Sequence, residues 1–169
     1  MGLEERVAEL ERRLAAIEES ADRRAAVAPA AEGDFWALDG LKARLAEAGA
    51  EAGGVLFTGT VRLPTGQRFD WQYGLTTETL LDHDWSDAAE SFAALGHAVR
   101  LRLLREILGG RHTAAELAAL DDLGTTGQIY HHLRQLTAAG WLHAAARGRY
   151  EVPPGRVVPL LVALATAQP

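Results

Sequence analysis

The stretch from Thr125 to Leu142 (TTGQIYHHLRQLTAAGWL) constrains the fold of this chain more than any other. Ile129, Leu133 and Leu136 follow one another at steps of four and three, and only a helix brings such a series onto one face. The opposite face then carries Thr126, Gly127, Gln128, Tyr130, His131 and Arg134. These are short or planar hydrogen-bonding side chains, suited to base edges and phosphates. Gly140 stands where a helix C-cap belongs, and Trp141-Leu142 opens an extended pattern.

The flanking sequence continues in short elements. A first helix is expected over Asp87 to Leu95, broken at Gly96-His97. A second runs from Ala98 to Leu108, with Leu101, Leu104 and Leu108 inward and Gly109-Gly110 at its end. Thr113 and Glu116 have the spacing of a capping box, so a third helix starts there and ends near Leu120. Asp121-Asp122-Leu123-Gly124 is a turn, and Thr125 or Thr126 caps the next helix. Trp141 to Ala146 and Arg149 to Val152 read as two short strands, with Arg147 and Arg149 flanking the tip between them. Arginines in such a place enter a minor groove or pair with phosphate. After Pro153-Pro154-Gly155, the residues Val157, Val158, Leu160, Leu161 and Leu164 form a strongly apolar final helix.

In order and spacing, residues 88–167 resemble the ArsR-type winged helix-turn-helix transcription regulators. Phe92 to Leu104 looks like that family's opening two helices, and Thr113 to Ala118 like its helix before the turn. Tyr130-His131-His132-Leu133, Leu136 and Ala139 to Leu142 look like its recognition helix and the entry to its wing. The resemblance implies a homodimer with two recognition helices in successive major grooves of an inverted-repeat operator in double-stranded DNA. Gln128 is the best candidate for direct readout, since its amide can pair bidentately with adenine. Thr125, Thr126, Gly127, Tyr130 and His131 complete the expected base-facing surface, and Arg134, Arg147 and Arg149 hold phosphate. Val157, Leu160, Leu161 and Leu164 belong to the last helix, which dimerises in that family. The chain departs from the family in having no cysteine, so thiolate metal sites are excluded. The last acid is Glu151, which leaves the final helix without metal ligands. His131 and His132 are adjacent, point about 100° apart on a helix, and do not chelate one ion together.

Residues 1–87 lie outside the resemblance. Leu3, Val7, Leu10, Leu14 and Ile17 form a heptad seam over an expected helix at residues 1–24. Glu4, Glu11 and Glu18 fall at e positions and Arg6 and Arg13 at g, so a parallel pair would match Arg6 with Glu11 and Arg13 with Glu18. A single amphipathic helix packed on its own domain fits the same seam. Pro29 and Gly33 mark a linker. Residues 34–85 read as an extension made of a helix and a β-hairpin. Asp34 caps the helix, whose apolar positions are Trp36, Leu38, Leu41 and Leu45. Val55 to Leu63 and Phe69 to Tyr73 alternate about a Pro64-Thr65-Gly66 turn. The aromatics Phe57, Phe69, Trp71 and Tyr73 either line a ligand pocket for a small-molecule effector or bury the hairpin against the helix before it. Asp82, His83, Asp84 and Asp87 suit a solvated helix start better than a metal.

Charge supports this division. The chain's net charge of −6 argues against nucleic acid when taken whole. However, residues 1–87 hold 9 Lys and Arg against 17 Asp and Glu, a net of −8, and residues 88–169 hold 8 against 6, a net of +2. The basic half would face DNA and the acidic half be held away. There is no nucleophile elbow, P-loop or dinucleotide fingerprint, so an enzyme is not expected and no cofactor is implied. Met1 to Ser20 is charged and periodic, unlike a signal peptide, and no apolar run reaches membrane-spanning length. The expectation is a cytoplasmic, mainly α fold with small β (α+β): a winged helix-turn-helix domain at 86–169 with a coiled-coil helix and a hairpin extension before it. Its expected function is metal-independent, sequence-specific transcription regulation, as a repressor. The alternative is a protein-interaction or small-molecule-sensing module that uses the 55–74 hairpin and a winged helix that does not bind DNA.

Overall fold

The computed structural model of the chain describes residues 35–121, 123–145 and 148–168. The heptad seam of Leu3, Val7, Leu10, Leu14 and Ile17, the Asp34 cap, Asp122 and Arg147 lie outside the described residues. The chain divides into two units, residues 1–44 and 45–169.

Helix α1 spans Trp36–Glu47. Strands β1 (Gly54–Arg62) and β2 (Arg68–Thr76) follow as an antiparallel hairpin. A short helix α2 (Thr77–Asp82) and a 3-10 turn (Trp85–Ala88) lead into α3 (Ala89–Leu95). Then come α4 (Ala98–Leu108), α5 (Ala114–Ala118) and α6 (Thr126–Ala138). Strands β3 (His143–Ala145) and β4 (Arg149–Glu151) make a second, smaller hairpin before α7 (Pro154–Thr166). The fold is thus mainly α with two small antiparallel hairpins. No helix among the described residues is long and apolar enough to cross a membrane.

The elements start and stop where the local chemistry directs. The Nδ1 of His97 accepts the Val99 N–H at 3.2 Å and opens α4. Gly110, at φ 106°, turns the chain out of that helix. Beyond the strand that ends at Glu151, Pro153 and Pro154 begin α7, as proline at a first helical turn lacks only a donor that has no partner there. Leu103, Leu104 and Ile107 of α4 bury themselves with Leu117 of α5, with Ile129, Leu133 and Leu136 of α6 and with Leu160 of α7. Leu123 in the turn and Leu142 beyond Gly140 complete this core.

The first hairpin belongs to the same core. Its register pairs Phe57 with Tyr73, Gly59 with Trp71 and Val61 with Phe69, which puts all six residues on one face. That face lies on α7, at the other end of the chain. Two glycines allow the close approach. A Cβ on Gly59 would stand 2.7 Å from the Val158 side chain, and one on Gly155 would stand 3.3 Å from the Trp71 ring. Val61, Leu63 and Phe69 pack against the helical core. The hairpin and the helices after residue 85 thus lie within one compact unit, residues 45–169.

This packing changes the reading of α7. Val157 and Leu160, expected at a dimer contact, are 1% and 0% exposed inside the chain's own core. Leu161 and Leu164 keep part of their surface. The aromatic residues are likewise divided. Phe69 joins the core, Trp71 lies against Gly155, and Phe57 and Tyr73 stack on each other with ring centroids 5.9 Å apart. The acidic stretch near residue 84 is local structure too: Asp84 accepts the Ser86 N–H at 2.9 Å, and that bond holds its carboxyl below the usual range. His83 pairs through Nδ1 with the Thr79 carbonyl at 2.5 Å.

Candidate nucleic-acid interface

Helices α5 and α6 pack on each other and follow one another in the chain. Both begin with the same device. At α5, the Thr113 Oγ1 accepts the Glu116 N–H at 3.2 Å, and the Glu116 Oε2 accepts the Thr113 N–H at 2.8 Å. The same oxygen also accepts the His112 N–H at 2.9 Å. These bonds, with Thr113 first, hold the Glu116 carboxyl below its ordinary range, and Arg149 adds a smaller push in that direction. At α6, the Thr125 Oγ1 accepts the Gln128 N–H at 3.4 Å, and the Gln128 Oε1 accepts the Thr125 N–H at 2.8 Å.

The second box bears on the reading of Gln128. Its carbonyl oxygen is already engaged at the helix start, so the amide does not present an acceptor and a donor together to an adenine. Gly124, at φ 89°, belongs to the same arrangement, because a Cβ there would stand 2.6 Å from the Gln128 Oε1. The signal was in the sequence. Thr125-x-x-Gln128 is the same pattern as Thr113-x-x-Glu116, with glutamine in place of glutamate.

Beyond this cap, α6 divides cleanly. Ile129, Leu133 and Leu136 are each 0% exposed. Thr125, Thr126, Gly127, Tyr130, His131 and Arg134 are all exposed on the other side. Gly127 falls in the first turn, and a Cβ there would meet nothing within 4 Å. No neighbour within the chain demands that glycine, which leaves the backbone open to an outside surface. At the far end, Gly140 at φ 72° closes the helix, and the Trp141 N–H donates to the Leu136 carbonyl at 2.9 Å. Trp141 does not enter a strand. It is buried, donates from Nε1 to the Ser91 carbonyl at 3.0 Å, and carries the Arg156 guanidinium 4.9 Å above its ring.

Arg100 ties this region together. Its guanidinium donates to the Ala93 and Ala94 carbonyls at the end of α3, at 2.7 and 2.5 Å, and to the Gln135 Oε1 on α6 at 2.7 Å. It therefore fixes α6 against α3, a positioning role that the sequence alone did not suggest. His132 lies beside it, half-buried, with its ring 4.7 Å from that of His97. Burial, then His97, Arg100 and His131 in turn, lower the pKa of His132 from its ordinary value.

The second hairpin stands next to α5. The Tyr150 N–H donates to the His112 carbonyl at 2.7 Å, and Thr113 forms an isolated antiparallel bridge with Arg149. Arg149 is therefore half-buried beside the Thr113–Glu116 cap and is not fully extended into solvent. His143 and Glu151 face each other across the hairpin, with Nε2 and Oε2 3.8 Å apart. Among the described residues, no three His, Asp or Glu side chains converge as metal ligands. No family model matches the chain and no curated protein matches it in sequence, so the geometry of α5, α6 and the second hairpin carries the functional reading.

Proposed function

We propose that the chain is a sequence-specific, double-stranded DNA-binding transcription regulator, a repressor that acts as a homodimer. In this reading α5 and α6 are a helix-turn-helix, β3 and β4 are its wing, and α6 is the recognition helix. The observation that carries it is the outward face of α6. Tyr130, His131 and Arg134 stand exposed opposite a fully buried stripe, above a first turn whose Gly127 touches nothing. Such a face offers hydrogen-bond donors and acceptors at the width of a major groove, with no side chain barring the backbone. With Gln128 held at the cap, Tyr130 and His131 become the leading base-reading residues and Arg134 the leading phosphate contact. Two copies would set two such helices about one helical turn apart on an inverted repeat.

Fluorescence anisotropy on a pool of labelled genomic fragments, at two salt concentrations, tests this. The wild-type chain binds a few fragments tightly, and binding falls steeply with salt, because each neutralised phosphate releases counterions. Tyr130→Ala/Arg134→Ala keeps its fold and loses that binding. Weak binding to every fragment, or equal binding by the variant, overturns the reading.

A further inference from the structure

A groove of about 750 Å³ lies on the side of the unit formed by α4 and the C-terminal half of α7. Volumes of roughly 300–1,000 Å³ are those of small-molecule sites. Leu104 and Leu160 form its floor and are fully buried, and Leu101, Leu108, Leu161 and Leu164 line its half-exposed walls. Leu63 and Pro64 of the first hairpin's turn close one end. That turn is held there by contact, since a Cβ on Gly110 at the end of α4 would stand 3.2 Å from the Thr65 side chain.

The rim gives the groove its chemistry. It carries Arg102, Arg105, Arg111 and a single acid, Glu106, hence three positive charges against one negative. Glu106 is taken by Arg111, through a direct ion pair and hydrogen bond. Among the described residues, Arg102 and Arg105 have no acidic partner. A net of +2 around a leucine trough stands out in a chain whose net charge is −6. Leucines cannot satisfy an ion, and guanidinium groups gain little from an alkyl chain. The two together suit a molecule with an apolar body and an anionic head, because a carboxylate accepts two parallel hydrogen bonds from one guanidinium.

We propose that this groove binds an amphipathic monocarboxylate, its alkyl or aryl body on Leu101, Leu104, Leu161 and Leu164 and its carboxylate on Arg102 and Arg105. The site goes beyond the DNA-binding reading and does not rest on it, since none of these residues lies on α6 or the second hairpin. Calorimetric titration of the full chain with decanoate, and with decanol as its uncharged counterpart, tests the proposal. Decanoate binds saturably, one per chain. Arg102→Gln/Arg105→Gln weakens it roughly tenfold to a hundredfold, the worth of a charge-assisted hydrogen bond. Decanol shows no difference between wild type and that variant. Leu161→Trp, which fills the trough, abolishes binding of both, and circular dichroism confirms that each variant is folded. The arginine variant alone decides the matter if Leu161→Trp does not fold. Non-saturable uptake of decanoate, or equal affinity in the arginine variant, overturns the proposal. So does sedimentation in which the wild type is a dimer that Leu161→Trp dissociates and decanoate does not, because a second copy then occupies the groove. Anisotropy on DNA with the arginine variant is a separate readout, so the failure of one reading does not carry the other with it.

Discussion

Helices α6 and α7 are each 13 residues long and each buries an apolar stripe in the same core, yet they have opposite relations to their surroundings. α6 is covered on one side only, and its other side is a row of exposed polar groups. α7 is covered twice, by the core beneath Val157 and Leu160 and by the first hairpin above Gly155 and Val158. Contact with another molecule is thus open on the outer side of α6 and largely closed on α7. The family resemblance and its apolarity pointed to α7 as a contact surface, but most of that apolar surface is matched within the chain. Only the strip at Leu161 and Leu164, beside the arginines of α4, is left over.

The comparison breaks first if the two stripes are not equally buried. Leu133→Ala and Leu160→Ala should each cost about 2–5 kcal/mol, because each deletes a side chain that is 0% exposed and leaves a cavity. Chemical denaturation of the two variants measures this. A near-neutral Leu160→Ala would mean that α7 is not covered as described. Arg134→Ala, on the open side of α6, should stay within about 0.5 kcal/mol of wild type.

Glycines sharpen the contrast. Gly59→Ala forces a Cβ into Val158 and should destabilise by about 1–3 kcal/mol, with Val158→Ala as the second change that restores the fit. Gly127→Ala meets nothing and should stabilise by up to about 1 kcal/mol, since alanine loses less backbone entropy in a helix. If α6 is the DNA-reading helix, the same substitution weakens operator binding while raising the melting temperature. A gain in stability with unchanged DNA binding would remove Gly127 from the interface.

The capping box separates the structural role of α6 from the DNA-reading role proposed for it. Thr125→Ala should cost about 1 kcal/mol, the usual worth of an N-cap. Gln128→Glu keeps the reciprocal bond and adds a negative charge at the helix N-terminus, where the macrodipole favours it. Its stability should equal or slightly exceed that of wild type, and, if α6 is the DNA-reading helix, its affinity for DNA should fall through repulsion by phosphate. Loss of stability in Gln128→Glu would show that the amide does more than close the cap.

Local signals were legible and distant packing was not. The stripe of Ile129, Leu133 and Leu136, the limits of α4, the Thr113 box and the alternation of the first hairpin could all be read from neighbouring residues. Each is set by interactions a few positions apart. What the hairpin packs on could not be read, because Gly59 and Val158 are nearly a hundred positions apart and nothing local links them. Arg100 was missed for the same reason: its three acceptors lie on two other helices. The engagement of Gln128 in the cap is a local pattern as well. A glutamine on an exposed face can serve either the cap or a base, and the spacing to Thr125 is what decides.

The smallest effect sits at the inner edge of α6. His132 is half-buried, its Nδ1 has no hydrogen-bond partner among the described residues, and it faces His97, Arg100 and His131. Burial and these positive neighbours lower its pKa in the folded chain below the ordinary 6.5. The unfolded chain therefore binds that proton more readily than the folded one. The stability due to the neutral ring is fully present above about pH 6.5 and is lost as pH falls through the lowered value. Wild type should thus melt at a lower temperature at mildly acidic pH than at neutral pH, and His132→Gln should show a flatter profile over that window. A variant of the outer face of α6, which leaves the surroundings of His132 in place, should keep the wild-type slope. If His132→Gln were to keep that slope as well, the acid sensitivity would lie elsewhere, and the inner face of α6 would be indifferent to protonation.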